Sequence, residues 1–170
     1  YAATSTKALA DTSKAFTVGA WVYPTSAGPT QTYPILAQEG SNEQVFYLMN
    51  GLNSWAFCMS NADTPSWAGD CVTTTFTVAP NEWVFVAATW DPINKQMRLF
   101  TSMDGEAGTP VVGTHASSWT ANGPLLIGRD RIGTAVRTWR GQIASPMVFP
   151  GVLTSDQINN MGQQLPPGEW

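Results

Sequence analysis

Two carboxylates facing the same side of a strand would be the clearest sign of acid–base chemistry. A retaining sugar hydrolysis needs them about 5 Å apart, which an i, i+2 spacing on a strand supplies. The chain carries one acidic i, i+2 pair, Asp104 and Glu106, and it straddles an Asp-Gly turn signal. Solvated turn chemistry accounts for that pair. The single histidine, His115, lies in the polar run "THASSWT" with no Asp, Cys or Gly-x-Ser-x-Gly setting to build a nucleophile system. The chain is therefore expected not to be an enzyme.

Binding chemistry is better represented. The segment "SNADTPSWAGDC" (60–71) offers Trp67 together with Asn61, Asp63 and Asp70. An indole is a plate for the apolar face of a pyranose, and planar polar groups meet its hydroxyls. A Trp67 folded back onto a sheet is the equal alternative. Trp119, in "SSWTANG", is a second loop tryptophan with weaker polar company. The stretch "GRDRIGTAVRTWR" (128–140) holds Arg129, Arg131, Arg137 and Arg140, half of the eight basic residues. Guanidinium forks match carboxylate and sulfate geometry, so convergence would suit uronic or sulfated polysaccharides. The plain alternative is a set of solvated loop arginines, partly neutralised by Asp130.

Bulk composition narrows the partners. The net charge of −4 argues against nucleic-acid or membrane-surface binding, since both need a cationic face. No apolar run is long enough for a membrane helix. The start, Tyr1-Ala2-Ala3-Thr4, has no signal-peptide pattern and reads as a domain cut from a longer chain. Few charges and eight tryptophans suit a secreted β protein. Cys58 and Cys71 are the only cysteines and flank a twelve-residue polar segment between strand-like runs. A disulfide there would tie the base of a long hairpin and place the protein in an oxidising compartment. Two buried free thiols are the alternative.

Those candidate groups need a scaffold, and the pattern supplies strands. Phe16, Val18, Ala20 and Val22 alternate along one strand, and Val72, Thr74, Phe76 and Val78 along another. "WVFVAATW" (83–90) is apolar on both faces and predicts a central strand. Further strands are predicted at 44–49, 54–60, 96–103, 124–128 and 139–149, with turns at Asn50-Gly51, Asp91-Pro92, Asp104-Gly105 and Asn122-Gly123. Trp21, Trp83 and Trp90 fall at strand positions and are assigned to the core. One helix is predicted over 153–162, capped by Thr154 or Ser155, with Ile158 and Met161 on one face and Gly162 as its stop. The pattern is all-β: a two-sheet antiparallel sandwich with one short C-terminal helix. One domain is expected over 1–165, with 166–170 opening a linker.

Three motifs carry a resemblance: "SKAFTVGAWVYP" (13–24), "NEWVFVAATWDPINKQMRLFTSMDGE" (81–106), and "GPLLIGRD" (123–130) followed by "WRGQIASPMVFPGVLTSDQI" (139–158). Together they resemble the laminin-G-like, concanavalin-A-like jelly-roll domains of large secreted bacterial proteins. The resemblance implies a jelly roll whose last segment closes the fold, with the helix capping one end of the sandwich. It implies a non-catalytic module recognising a glycan or glycoprotein, secreted or on the cell surface, beside other domains of a parent chain. A structural or adhesion module, or an accessory domain of a glycoside hydrolase, is the alternative. Many members bind calcium through an acidic pair where this chain has Ala144 and Ser145. No cofactor is therefore expected, with calcium on loop acids such as Asp63, Asp70 and Asp130 left as the alternative. Gly141 should mark a close backbone approach, and Pro146 an edge or a bulge.

Overall fold

A computed structural model describes residues 1–6, 11–26, 31–51, 53–75, 77–103, 106–132 and 135–164. In chain order the strands are β1 (Ala2–Ala3), β2 (Phe16–Pro24), β3 (Thr32–Glu39), β4 (Gln44–Gly51), β5 (Ser54–Ser60), β6 (Gly69–Thr73) and β7 (Val84–Asp91). They continue as β8 (Gln96–Met103), β9 (Glu106–Ala107), β10 (Val111–Thr114), β11 (Leu125–Ile127), β12 (Arg129–Ile132), β13 (Ala135–Thr138) and β14 (Gly141–Pro150), followed by helix α1 (Ser155–Gly162). The predicted turn at Asp104-Gly105 lies outside the described residues.

Two antiparallel sheets face each other. The front sheet runs β1-β11-β3-β4-β5-β6, and the back sheet β10-β8-β7-β2-β14 with β9 also beside β8. The period-2 alternation sends Phe16, Val18, Ala20 and Val22 inward from the back sheet, to meet Phe46, Leu48, Phe57 and Met59 from the front. The rings of Phe16 and Phe46 are 5.1 Å apart at this interface. Strand β7 is central in its sheet and buried on both faces, as its unbroken apolar run predicts. Trp21 and Trp90 are buried, and Trp83 packs half-buried against Tyr23.

The strand at 139–149 takes a definite form. Trp139 precedes it, and β14 begins at Gly141, where a Cβ would stand 1.9 Å from the Tyr23 carbonyl oxygen. The backbone there is at φ +137°, so glycine is required twice over. Between the pairs Ala144↔Trp21 and Met147↔Gly19, two residues oppose one, and Ser145 takes φ +48°. Pro146 therefore sits in a β-bulge on an edge strand, where no ladder donor is missed.

Three expectations are corrected. Helix α1 does not cap an end of the sandwich: Ile158 and Met161 pack onto Trp21, Phe85 and Phe100 on the outer face of the back sheet. Gly162 is not its stop, since the helix includes it and Gln163 is the C-cap. Its lack of a side chain instead lets the last turn approach Phe85 and Ser102, which an added Cβ would meet at 2.8 Å. At the N-terminus Thr154 is the cap, and Gln157 completes a capping box. The strand predicted through Val78 ends at Thr73. Thr74 turns out of it, its hydroxyl accepting from the Trp55 N–H, and the Val78 N–H is taken by the Asn53 carbonyl.

Candidate functional site

Among the described residues, no helix covers the outer face of the front sheet. Its outward positions are Ala37 on β3, Tyr47 and Met49 on β4, and Ala56 and Cys58 on β5, a small apolar cluster of its own. Cys58 and Cys71 are direct partners in the β5–β6 register and form the disulfide expected of them. Across that bridge the chain returns through the loop carrying Trp67, which is 42% exposed. Gly69 lets the returning chain close in, since a Cβ would stand 2.1 Å from the Met59 carbonyl oxygen.

The β12–β13 hairpin lies against β3 and places Arg137 over this face. Asp130 and Arg137 are opposed in the hairpin register, and Nε and Nη2 of the guanidinium grip the two carboxylate oxygens. Nη1 donates to Thr32 Oγ1 on β3, and the group stands 5.6 Å from the centre of the Tyr47 ring. The fork thus joins hairpin to sheet. Asp130 is fully buried; burial raises its pKa, and the Arg137 hydrogen bond and charge oppose the rise. Beside Tyr47, the buried Glu43 carboxyl is also raised by burial, against the Gln44 N–H that stabilises its charge. The Tyr47 hydroxyl contacts both Glu43 Oε1 and Gln44 Oε1.

Two cavities flank Arg137. One, of about 190 Å³, is mostly apolar and is lined by Tyr47, Met49, Trp67, the Cys58–Cys71 bridge and Arg137. The other is a groove of about 480 Å³ lined by Gln31, Thr32, Tyr33, Val136, Arg137, Thr138 and Arg140.

The sequence-predicted residues divide between these cavities and the framework around them. Trp67 and Arg137 meet at the apolar cavity. Asn61 is exposed at the foot of the same loop, which its backbone closes by an N–H bond to Ala68. Asp63 accepts from the backbone N–H groups of Ser41, Asn42 and Glu43 at 2.7–2.9 Å, tying the Trp67 loop to the β3–β4 turn. Burial pushes the Asp63 carboxyl up, but the Asn42, Ser41 and Glu43 donors together outweigh it and hold its pKa low. Asp70 pairs at 2.8 Å with Nδ1 of the buried His115. Trp119 turns inward: its Nε1 donates to Ser60 Oγ and its ring packs on the core beside Gly40.

Among the arginines, Arg131 donates to the Ser41 carbonyl and lies 3.5 Å from Glu39, while Arg129 stacks over Tyr1. Arg140 lies over the Tyr33 ring, so the four go to separate partners, and they stand on or beside a strand hairpin rather than in a loop. Asp63, Asp70 and Asp130 do not converge; among the described residues no three His, Cys, Asp or Glu groups gather as a metal site would need. Sequence reasoning missed Tyr47, Tyr33 and Met49. The period-2 alternation of β4, with Phe46 and Leu48 inward, is the signal that points Tyr47 and Met49 outward.

Two facing antiparallel sheets with one short helix are the architecture of the concanavalin A-like jelly rolls. The family comparison agrees: the concanavalin A-like lectin/glucanases superfamily matches over residues 1–159, and the chain belongs to it. No curated protein matches the chain. Among solved structures it is similar to the carbohydrate-binding module CBM40 of the Ruminococcus gnavus IT-sialidase bound to α2,3-sialyllactose, with 18% identity, TM-score 0.68, and coverage of 88% of this chain and 83% of that one. It is similar to a SAP-like pentraxin of Limulus polyphemus, with 16% identity, TM-score 0.63, and coverage of 88% and 70%. A third is the ligand-binding domain of botulinum neurotoxin serotype D in complex with N-acetylneuraminic acid, with 14% identity, TM-score 0.62, and coverage of 94% and 37%. At these identities the likeness is one of fold.

Proposed function

We propose that the chain is a non-catalytic glycan-binding module, acting in a secreted or surface-attached protein beside other domains. The observation that carries this reading is the apolar cavity on the outer face of the front sheet. There the exposed Trp67 stands with Tyr47, Met49 and the disulfide, and Arg137 forms the rim toward the polar groove. A pyranose has an apolar face for indole stacking and a rim of hydroxyls for planar polar donors, and this cavity offers both. The solved neighbours include a module bound to sialyllactose and a toxin domain bound to N-acetylneuraminic acid, which supports sugar binding in general and names no glycan for this chain. The disulfide is consistent with an extracellular setting.

The test is a glycan array probed with the isolated domain. Binding to at least one glycan should fall by at least about tenfold in Trp67→Ala, in the range of a truncated aromatic anchor, while its thermal unfolding stays close to wild type. A folded domain that binds no glycan would overturn the reading in favour of an adhesion or spacer module.

A further inference from the structure

We infer that the ligand is an acidic saccharide, its carboxylate or sulfate held in the polar groove by the Arg140 guanidinium; this rests on the glycan-binding reading above. Four arginines crowd residues 129–140, and the structure separates their roles. Arg131 is engaged by Glu39 and Ser41, Arg137 by Asp130 and Thr32, and Arg129 lies over Tyr1 and is not part of the groove wall. Arg140 alone of the four is both exposed and part of the groove wall. Among the described residues no carboxylate pairs with it.

Arg140 is nevertheless placed. Its guanidinium lies over the Tyr33 ring, 5.6 Å from the centroid, and the Tyr33 hydroxyl is itself bonded to Gln31. A stacked guanidinium keeps its planar fork of donors while losing little side-chain freedom when it grips an oxyanion. The local charge agrees. Two guanidiniums, Arg137 and Arg140, line the groove, and the one carboxylate bonded to them, Asp130, is buried with both oxygens on Arg137. The formal sum is two positive charges against one negative, on a chain whose net charge is −4. Because Arg137 borders both cavities, a sugar stacked on Trp67 would extend its acidic substituent past Arg137 toward Arg140.

The experiment is an array of matched pairs, each neutral glycan beside its sulfated and its carboxylate-bearing (uronate or sialylated) form, probed with wild type, Arg140→Gln, Arg140→Lys and Arg131→Gln. The acidic member of a bound pair should bind at least about tenfold more tightly, one charge-assisted bidentate contact, and should weaken as salt rises. The Arg140→Gln variant should bring acidic and neutral members level, Arg140→Lys should keep part of the preference, and Arg131→Gln all of it. The sulfated and carboxylated arms tell which oxyanion is preferred. Neutral members binding as tightly as acidic ones, or a preference unchanged in Arg140→Gln, would overturn the inference and leave the glycan reading standing. An array without any binding would overturn both.

Discussion

The two outer faces of the sandwich begin alike and end differently. On the back sheet, Trp21, Phe85, Ala87 and Phe100 point outward, and α1 lies on them with Ile158 and Met161; the glycine at its last turn lets it come into contact. On the front sheet the outward residues are smaller, Ala37, Ala56 and Cys58 around Tyr47 and Met49. The cover there is a short hairpin held by Arg137 and Arg131, and cavities remain on both sides of Arg137. A face sealed by a helix converts its apolar area into stability. A face covered by a hairpin keeps part of its aromatic and cationic surface available to a ligand. The two faces thus differ in their cover, and the proposed ligand surface is the one that no described helix covers.

The sharpest way to break that comparison is to truncate one large aromatic from each face. Phe85→Ala should cost about 3–5 kcal/mol, because a ring buried beneath α1 leaves a cavity the sheet cannot collapse around. Glycan binding per folded molecule should be unchanged. Trp67→Ala should cost less than about 1 kcal/mol, the effect of an exposed site, and remove binding. Urea unfolding paired with a binding titration checks both; a Phe85→Ala variant that stayed folded but lost its ligand would reverse the assignment of the two faces.

Next in size is the bridge that links the front face to β6. Replacing Cys58 and Cys71 together by serine opens a loop whose closure contributes about 3 kcal/mol. On a chain of this size that corresponds to a fall of roughly 6–12 °C in Tm. The sulfurs also line the cavity beside Trp67, so binding at a temperature where the variant remains folded should weaken as well. A Tm shift without any weakening would separate the bridge from the site.

Most of the fold was legible because its signals are local. The alternation at Phe16–Val22 and the two-sided apolar run at Val84–Trp90 report burial directly, and β7 reads apolar on both faces because the core and α1 lie on opposite sides of it. The outer position of α1 was not legible, since Ile158 and Met161 define an apolar stripe without saying which surface receives it. The geometry of the candidate site was legible in part. Trp67 and Trp119 both sit in polar loop sequences, and long-range contacts alone tell them apart: Trp119 finds Ser60 Oγ and the gap at Gly40. The arginine cluster was visible as a composition. Its division of labour depends on the Asp130↔Arg137 register across a hairpin, which the residue types do not specify.

Acid should sharpen the contrast between the loop and the core of the site. Asp63, Asp91 and Asp11 have pKa values held below their ordinary range, Asp11 at about 2 by the Ser13 and Thr120 hydroxyls first. Their stabilisation is present above the unfolded value of 3.8 and is lost as pH falls through the depressed folded values. Glu43 and Asp130 are raised by burial, so the folded chain holds their protons more tightly than the unfolded one. Their contribution has the opposite sign: it grows as pH falls through the raised values. Stability should therefore hold or rise on mild acidification and fall only below about pH 4. In Asp63→Asn the acid-side fall should be shallower, with a loss of about 1 kcal/mol at pH 7 as its three backbone donors lose a charged acceptor. Denaturant unfolding across pH measures both. A monotonic decline from pH 7 would mean that Glu43 and Asp130 do not set the upper part of the curve.

The smallest expected effect is that of a calcium chelator. A hard cation takes six or more oxygens and generally several carboxylates, arranged so that their charges are neutralised by the ion. At the bulge of β14 the chain presents Ala144 and Ser145 where an acidic pair would be needed, with Ser145 at φ +48° just before Pro146. The acids elsewhere already hold protein partners: Asp63 has three backbone donors, Asp70 has His115, and Asp130 has Arg137. Recruiting any of them to an ion would break a bond that supports the loop or hairpin beside the cavities. Addition of a chelator should thus move Tm by less than about 1 °C, within roughly half a kcal/mol at this chain length. A fall of several degrees, restored by calcium and not by magnesium, would show that loop carboxylates rearrange around a cation, and it would move the proposed ligand chemistry away from the cavities beside Arg137 to those carboxylates.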